Sequence, residues 1–126
     1  MDTLSSIKKQ LAPLRGDKRV VAVILFGSRA RGEARPLSDV DICILAQEGI
    51  PIGKLLDLTP SVDADVSYFN NLPISMRQKV ISEGKIIINK DPRALAKMTL
   101  RTISAYLDFN PLRERMLRAI VSKGVF

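Results

Sequence analysis

The sequence predicts a small α/β domain (α+β in the wider sense), with a mixed sheet of about four strands flanked by helices. Two kinds of pattern predict this class: runs of apolar or alternating residues typical of strands, and amphipathic segments bounded by Pro and Gly. At 126 residues the chain has the length of one domain with a single core. We therefore predict one domain over residues 1–126, with a core over 1–90 and a C-terminal helical extension over 91–126.

The strand predictions depend on β-branched apolar runs and on alternation. Residues 20–26 (VVAVILF) and 40–46 (VDICILA) are nearly continuous apolar runs, which are typical of strands buried on both faces. Residues 62–69 (VDADVSYF) alternate between polar and apolar side chains, as a half-buried strand does. A short fourth strand is predicted at residues 85–89 (KIIIN).

The helix predictions depend on apolar spacing and on start and stop residues. Helices are predicted over residues 3–14, 73–84, 92–107 and 111–123, with at most one helical turn near 54–58 in an otherwise irregular stretch. Asp91-Pro92 and Asn110-Pro111 each combine an N-cap residue with Pro at the first helical position. Gly84 marks the end of the second helix.

The composition excludes several kinds of chemistry. The chain has no histidine, so Ser-His and Cys-His triads are impossible and a zinc site is disfavoured. Its one cysteine, Cys43, cannot form an internal disulfide, and a core thiol is the favoured interpretation of it. The segment GIPIGKL (49–55) lacks the spacing of a P-loop. With neither a membrane-length apolar run nor a signal-peptide pattern, we expect a cytoplasmic protein without a membrane partner.

Positive charge is concentrated in the C-terminal part of the chain. The whole chain carries a net charge of +7, and from Arg93 onwards seven basic residues stand against two acidic ones. Such a surface attracts phosphates, nucleic acid or acidic protein surfaces, although a solvated helix face fits the same residues.

The segment GSRARG (27–32) directly follows the first predicted strand. A strand that runs through Gly-Ser into a helix leaves backbone N–H groups that can bind phosphate oxygens. Gly27 would allow close approach, the Ser28 hydroxyl could donate a hydrogen bond, and Arg29 and Arg31 would add positive charge. When the segment is taken alone, an ordinary turn with Ser28 as N-cap is the favoured interpretation.

Aspartates open the second predicted strand and lie on the third. Because alternate strand residues share a face, Asp39 and Asp41 point the same way and repel unless a cation lies between them. Oxygen ligands of this kind suit Mg²⁺. The third strand supplies Asp65, with Asp63 on the same face as an alternative. Three carboxylates on neighbouring strands beside a phosphate-binding turn are what two-metal phosphoryl or nucleotidyl transfer requires.

Residues 25–45 (LFGSRARGEARPLSDVDICIL) closely resemble the signature of the DNA polymerase β-like nucleotidyltransferase superfamily: a strand, Gly-Ser, a helix, then Asp-x-Asp on the next strand. The form GSRARG followed by SDVD is most similar to the minimal nucleotidyltransferases. Residues 65–88 resemble the family's third-aspartate strand and following helix, and residues 106–117 are similar to the tail of members paired with HEPN toxins. The resemblance covers most of the chain from about Val20.

This resemblance implies the nucleotidyltransferase fold, with two Mg²⁺ ions as cofactor and ATP as substrate. The positions that match the nucleotide-phosphate turn are Gly27 and Ser28, with Arg29 and Arg31 beside them, and the metal-binding catalytic carboxylates match Asp39, Asp41 and Asp65. The resemblance also implies an antitoxin that transfers AMP from ATP to a tyrosine of a partner HEPN ribonuclease toxin.

Three other functions stay open at this point. The chain could be a non-catalytic binding module that neutralises its partner by occlusion, with the basic tail as its functional surface. It could be a nucleotidyltransferase acting on a small molecule, although it lacks a second domain to grip one. Direct nucleic-acid binding through the tail is a secondary alternative, and a steep salt dependence of RNA affinity would support it.

Overall fold

A mixed sheet forms the centre of the computed structural model, which describes residues 3–27, 40–58, 64–107 and 112–124. The strands are β1 (Val20–Phe26), β2 (Asp41–Ala46), β3 (Asp65–Tyr68) and β4 (Lys85–Asn89). The helices are α1 (Thr3–Gln10), α2 (Ala12–Arg15), α3 (Ile52–Leu55), α4 (Ile74–Glu83), α5 (Pro92–Tyr106) and α6 (Leu112–Ser122), with 3₁₀ turns at Leu56–Leu58 and Phe69–Asn71. The predicted fold class is confirmed. No helix within these described ranges has the length and apolar character needed to cross a membrane.

The order of the strands across the sheet is β3-β2-β1-β4. β1 runs antiparallel to both of its neighbours, β2 and β4, whereas β2 and β3 are parallel. The end of β1 therefore lies beside the beginnings of the other three strands. We call this the upper end of the sheet, and the opposite end the lower end.

Helices cover both faces of the sheet, which explains the continuous apolar runs of β1 and β2. α1 and α2 pack on the first face, where Ile7 and Leu11 meet residues such as Leu25 and Ile42. α4, α5 and α6 pack on the second face, and the core there includes Ile24, Cys43, Leu45, Val80, Leu95, Ile103 and Ile120. β1 and β2 are buried almost throughout, as their sequences predict.

The N-terminal helix differs from the prediction of one continuous helix over residues 3–14. The helix ends at Gln10, and a second, four-residue helix follows from Ala12. Pro13 lies in the first turn of this second helix. Because proline lacks an N–H group and its ring crowds the preceding turn, it ends one helix and begins the next.

Two other elements differ in extent from the prediction. Within residues 47–60 the structure has α3 and the 3₁₀ turn at Leu56–Leu58, so the expectation of at most one helical turn was wrong. β3 covers Asp65–Tyr68 of the strand predicted at 62–69, because it begins only after Ala64 and the chain turns into a 3₁₀ helix at Phe69, while residues 62–63 lie outside the described ranges. Phe69 is buried in the second-face core, which draws the chain out of the strand direction.

Hydrogen bonds hold β3 against β2 at both of its ends. At the upper end, the Asp65 N–H donates to the Val40 carbonyl at 2.8 Å. Past the lower end, the Asn70 side chain accepts from the Ala46 N–H and donates to the Ala46 carbonyl, both at 3.1 Å. The amide thus bonds the main chain as a further strand residue would, and the short strand is held at both ends.

The C-terminal helices share the core of the second face with the strands. Asp91 caps α5 by accepting from the Ala94 N–H at 3.1 Å, with Pro92 in the first turn, as predicted. α6 contacts both α4 and α5 and buries Ile120 completely. The predicted boundary at residue 90 between a core and an extension stays a prediction. The second predicted cap, Asn110-Pro111, lies outside the described residues.

Candidate active site

Three residues from the predicted site meet at the upper end of the sheet. Gly27 follows the last residue of β1, while Asp41 and Asp65 are the first residues of β2 and β3. Asp41 is the register partner of Phe26 on one side and of Asp65 on the other. Neighbouring strands are about 4.8 Å apart, and register partners share a face. The two carboxylates are therefore side by side on the second face.

Gly27 is in direct contact with the first of these carboxylates. Its φ is +80°, and a Cβ added there would lie 2.5 Å from Oδ2 of Asp41 and 3.3 Å from its Cγ. Glycine tolerates this backbone conformation, and the absence of a side chain leaves room for the carboxylate. The two segments singled out in the sequence are thus adjoining parts of one site.

Several of the predicted site residues lie outside the described part of the chain. These are Ser28, Arg29, Arg31 and Asp39, together with the alternative third carboxylate, Asp63, and the predicted helix after Ser28. Among the described residues, Asp65 is the acidic residue that the register places beside Asp41. Its role, like that of the other site residues, stays a prediction at this point.

The chemistry of the carboxylate pair fits a hard divalent cation. Asp41 is half-buried and Asp65 is exposed, so the pair lies where the sheet opens to solvent. Two carboxylates on adjacent strands repel each other, and a cation between them removes that repulsion. Mg²⁺ is commonly bound by one or two carboxylates together with water and phosphate oxygens. The described residues alone do not bring three or more potential ligands together, so a complete ligand set needs a residue such as Asp39.

Cys43 lies two residues beyond Asp41 on the same face, but it does not belong to the reactive site. The thiol is fully buried in the second-face core. Burial raises the pKa of Cys43 to about 12, against a small opposing effect of the Arg77 charge. A thiol in this state is a packing residue, which confirms the interpretation favoured from the sequence.

The lower end of the sheet carries a separate polar network. Arg77 donates to the carbonyls of Asn70 and Leu72, both at 2.9 Å, and its guanidinium lies 5.4 Å from the centre of the Phe69 ring. A cavity of about 320 Å³ opens there between these residues and Arg101. Since Arg77 donates to two main-chain carbonyls of this turn, the network stabilises the turn after β3.

Lys123 is the residue near the upper end whose position the sequence did not reveal. In the sequence it is one member of the basic tail, but its ammonium donates to the main-chain carbonyls of Ser82 and Gly84. This contact joins segments about forty residues apart, so neither local spacing nor charge pattern could have indicated it.

A comparison with protein families agrees with this geometry. The model of the family described as polymerase beta, nucleotidyltransferase, matches residues 8–93. The chain belongs to this nucleotidyltransferase family. The match includes β1, β2, β3 and β4, and with them every residue predicted for the site.

A curated relative carries a name that describes a more specific activity. A Methanocaldococcus jannaschii protein named as a protein adenylyltransferase is 27% identical over 75 residues. The alignment covers 58% of this chain and 59% of that protein, so the chain spans little more than half of its length.

Solved structures with the same fold come from toxin–antitoxin complexes. A chain of a toxin–antitoxin complex with AMP-PNP superposes with a TM-score of 0.62 at 21% identity, covering 96% of this chain and 99% of its own. A chain from the complex of the tri-AMPylated Shewanella oneidensis HEPN toxin with its MNT antitoxin gives a TM-score of 0.57 at 19% identity, with coverage of 94% and 96%. At these identities the likeness shows the fold.

Proposed function

We propose that this nucleotidyltransferase is the antitoxin of a toxin–antitoxin pair and that it transfers AMP from ATP to a tyrosine hydroxyl of a HEPN ribonuclease. The observation that carries the proposal is the contact of Gly27 with the Asp41 carboxylate, next to Asp65. It joins a turn suited to phosphate to a carboxylate pair suited to Mg²⁺. The names of the similar proteins support the choice of AMP as the transferred group and of a HEPN protein as the acceptor.

In this proposal the turn after β1 binds the nucleotide phosphates. Gly27 lets the main chain approach them, and Ser28 and the following N–H groups donate hydrogen bonds to their oxygens. Arg29 and Arg31 would add positive charge to this turn. Because Asp41 lies against Gly27, its carboxylate would be beside the phosphates bound by this turn.

Asp39, Asp41 and Asp65 would hold the Mg²⁺ ions, for which we propose two positions. When bound, the ions supply charge neutralisation for the attacking and leaving oxygens of an in-line displacement. Asp65, on the edge strand β3, orients the acceptor hydroxyl and accepts its proton. The hydroxyl oxygen forms a bond to the α-phosphorus, the bond from that phosphorus to the bridging oxygen breaks, and pyrophosphate leaves.

The test combines radiolabelled ATP and Mg²⁺ with the product of the gene adjacent to that of this chain, which the proposal expects to be a HEPN protein. We expect label on the HEPN protein with the wild type and a loss of at least about 100-fold with Asp41→Asn, since several kcal/mol of transition-state stabilisation are removed. Glu48→Gln is the matched control, because Glu48 is an exposed carboxylate at the lower end of the sheet. A melting temperature of Asp41→Asn no lower than that of the wild type would show that its fold is intact.

Two outcomes would contradict the proposal in different ways. Transfer by Asp41→Asn at the wild-type rate would show that the site lies elsewhere. Tight binding and inhibition of the HEPN protein without any label would instead indicate a binding module that acts by occlusion.

A further inference from the structure

The ammonium of Lys123 is fixed at the C-terminal end of α4. It donates to the Gly84 carbonyl at 3.2 Å and to the Ser82 carbonyl. Ser82 lies in the last turn of α4 and Gly84 directly follows the helix. Carbonyls at this end attract cations because they lack intrahelical partners and lie at the negative end of the helix dipole. Burial lowers the pKa of Lys123, and the nearby Glu83 carboxylate opposes that shift.

This anchoring point is close to the end of β1. A Cβ added at Gly84 would lie 2.3 Å from Cγ2 of Ile24 and 3.2 Å from the Leu25 carbonyl, so the turn between α4 and β4 packs directly on the last residues of β1. Lys85, the next residue, is the register partner of Leu25. Lys123 therefore lies at the upper end of the sheet, at the level of the last few residues before Gly27.

Lys123 is also on the same face of the sheet as the carboxylates. α6, which leads into Lys123, contacts α4 and α5 on the second face. Asp41 has the strand parity of Cys43 and Leu45, which are buried on that face. Across the upper end the order is Asp65 on β3, Asp41 on β2, the end of β1, and then the α4–β4 turn with Lys123. Two strand spacings, about 10 Å, separate β2 from β4.

The proposed reaction defines a direction across the strands at the upper end of the sheet, from the acceptor to the leaving group. In an in-line displacement the acceptor and the leaving group are on opposite sides of the phosphorus. With the acceptor at Asp65, on the β3 side, the β- and γ-phosphates extend over Gly27 towards β4. On the second face this direction leads to Lys123, whose ammonium is held at the Gly84 carbonyl beside a cavity that Ile24 and Lys85 also line.

We propose that Lys123 binds the leaving-group side of the nucleotide, with its ammonium directed at the terminal phosphates of ATP and then at the released pyrophosphate. The inference rests on the proposed function and adds a residue outside the Gly-Ser and Asp-x-Asp segments. A lysine ammonium is a compact point charge with three donors, so it can keep its carbonyl contacts and still attract a phosphate oxygen.

Lys90 provides a control that distinguishes phosphate binding by Lys123 from a purely structural contact with main-chain carbonyls. The ammonium of Lys90 donates to the carbonyls of Leu14, at 3.3 Å, and Asp17, so it holds main-chain carbonyls just as Lys123 does. Lys90 follows β4, at the lower end of the sheet, away from Gly27 and Asp41. A substitution of Lys90 therefore measures how much stability is lost with such a carbonyl contact, without any effect on the nucleotide site.

The experiment compares Lys123→Gln, Lys123→Arg and Lys90→Gln with the wild type. Glutamine keeps a donor for the carbonyls but removes the charge, whereas arginine keeps the charge. Binding of AMP-PNP and of AMP, both with Mg²⁺, is measured by calorimetry, and pyrophosphate is tested as an inhibitor of transfer. We expect Lys123→Gln to weaken AMP-PNP binding and pyrophosphate inhibition by about tenfold each, as for one charge-assisted contact. AMP binding should not change, because AMP lacks the terminal phosphates.

The controls follow from the same reasoning. Lys123→Arg should restore most of the pyrophosphate inhibition, and Lys90→Gln should change neither ligand, even if both glutamine variants lower the melting temperature. Equal weakening of AMP and AMP-PNP by Lys123→Gln would show a purely structural role and overturn the inference. So would pyrophosphate inhibition that stays at the wild-type level. If the wild type neither bound AMP-PNP nor transferred AMP, the proposed function would be wrong, and so would this inference.

Discussion

The contact between Gly27 and Asp41 can be tested by adding a single methyl group. Gly27→Ala places a Cβ 2.5 Å from Oδ2 of Asp41, at a residue whose φ is +80°. The substitution therefore has two separate effects. One is the backbone strain of a left-handed L-residue, and the other is the displacement of the carboxylate.

The size of each effect can be estimated. The left-handed conformation costs an L-residue about 1–2 kcal/mol. The carboxylate oxygen must move away by roughly 1 Å to reach van der Waals contact, and a misplacement of roughly 1 Å in a catalytic group can reduce a rate by about 100-fold. Strain lowers stability, whereas the displacement lowers the rate of transfer.

Gly49→Ala is the control, because it introduces the same backbone strain but displaces no carboxylate. Gly49 has a φ of +87°, and a Cβ added there would have no atom within 4 Å. Both variants should lose a similar free energy of unfolding, measured by urea denaturation. Only Gly27→Ala should lose AMP transfer, by about 100-fold, measured with radiolabelled ATP and the HEPN acceptor.

One result would refute this reasoning. If Gly27→Ala transferred AMP as fast as Gly49→Ala, the Asp41 carboxylate could move away without consequence. The close contact would then have no part in catalysis, and Asp41 would need another role.

Three further predictions concern the rest of the fold. Cys43 should react with a thiol reagent at pH 8 at least about 100-fold faster in unfolded than in native protein, as followed by absorbance, because burial raises its pKa. Hydrogen bonds from Arg19 lower the pKa of Asp17 to about 2 from an ordinary 3.8. The stability that this pair contributes is present above pH 4 and is lost as the pH falls towards 2, so Asp17→Asn should flatten the acid limb of the unfolding curve. Asn70→Ala should lower the free energy of unfolding in urea by about 1–3 kcal/mol, because it leaves main-chain groups of β2 unpaired, whereas Asn71→Ala, at an exposed neighbour, should not.

The sequence predicted those parts of the fold that local patterns determine. β1 and β2 are continuous apolar runs, and the helices on both faces of the sheet explain why no polar face was needed. The cap of α5 was predictable because Asp91-Pro92 acts within one turn. Pro13 is a local cause of the break between α1 and α2, but a prediction from apolar periodicity alone does not take it into account.

Local sequence patterns could not predict the contacts between distant segments of the chain. The pairing of Asp41 with both Phe26 and Asp65 depends on the register of three strands, about which a continuous apolar run carries little information. β3 ends at Tyr68, one residue before the predicted end, because Phe69 turns into the core, which is determined by tertiary packing. The position of Lys123 depends on how α6 docks on α4, so only the folded chain reveals it.

The Asn70 amide also protects the chain against an error in strand alignment. A slip of β3 by one residue along β2 would place Ala64 or Val66 beside Asp41 and would turn Asp65 to the opposite face. The same slip would leave the amide without its matching donor and acceptor on Ala46. A four-residue strand holds its register weakly by itself, so this one side chain at the lower end selects which residue stands next to Asp41 at the upper end.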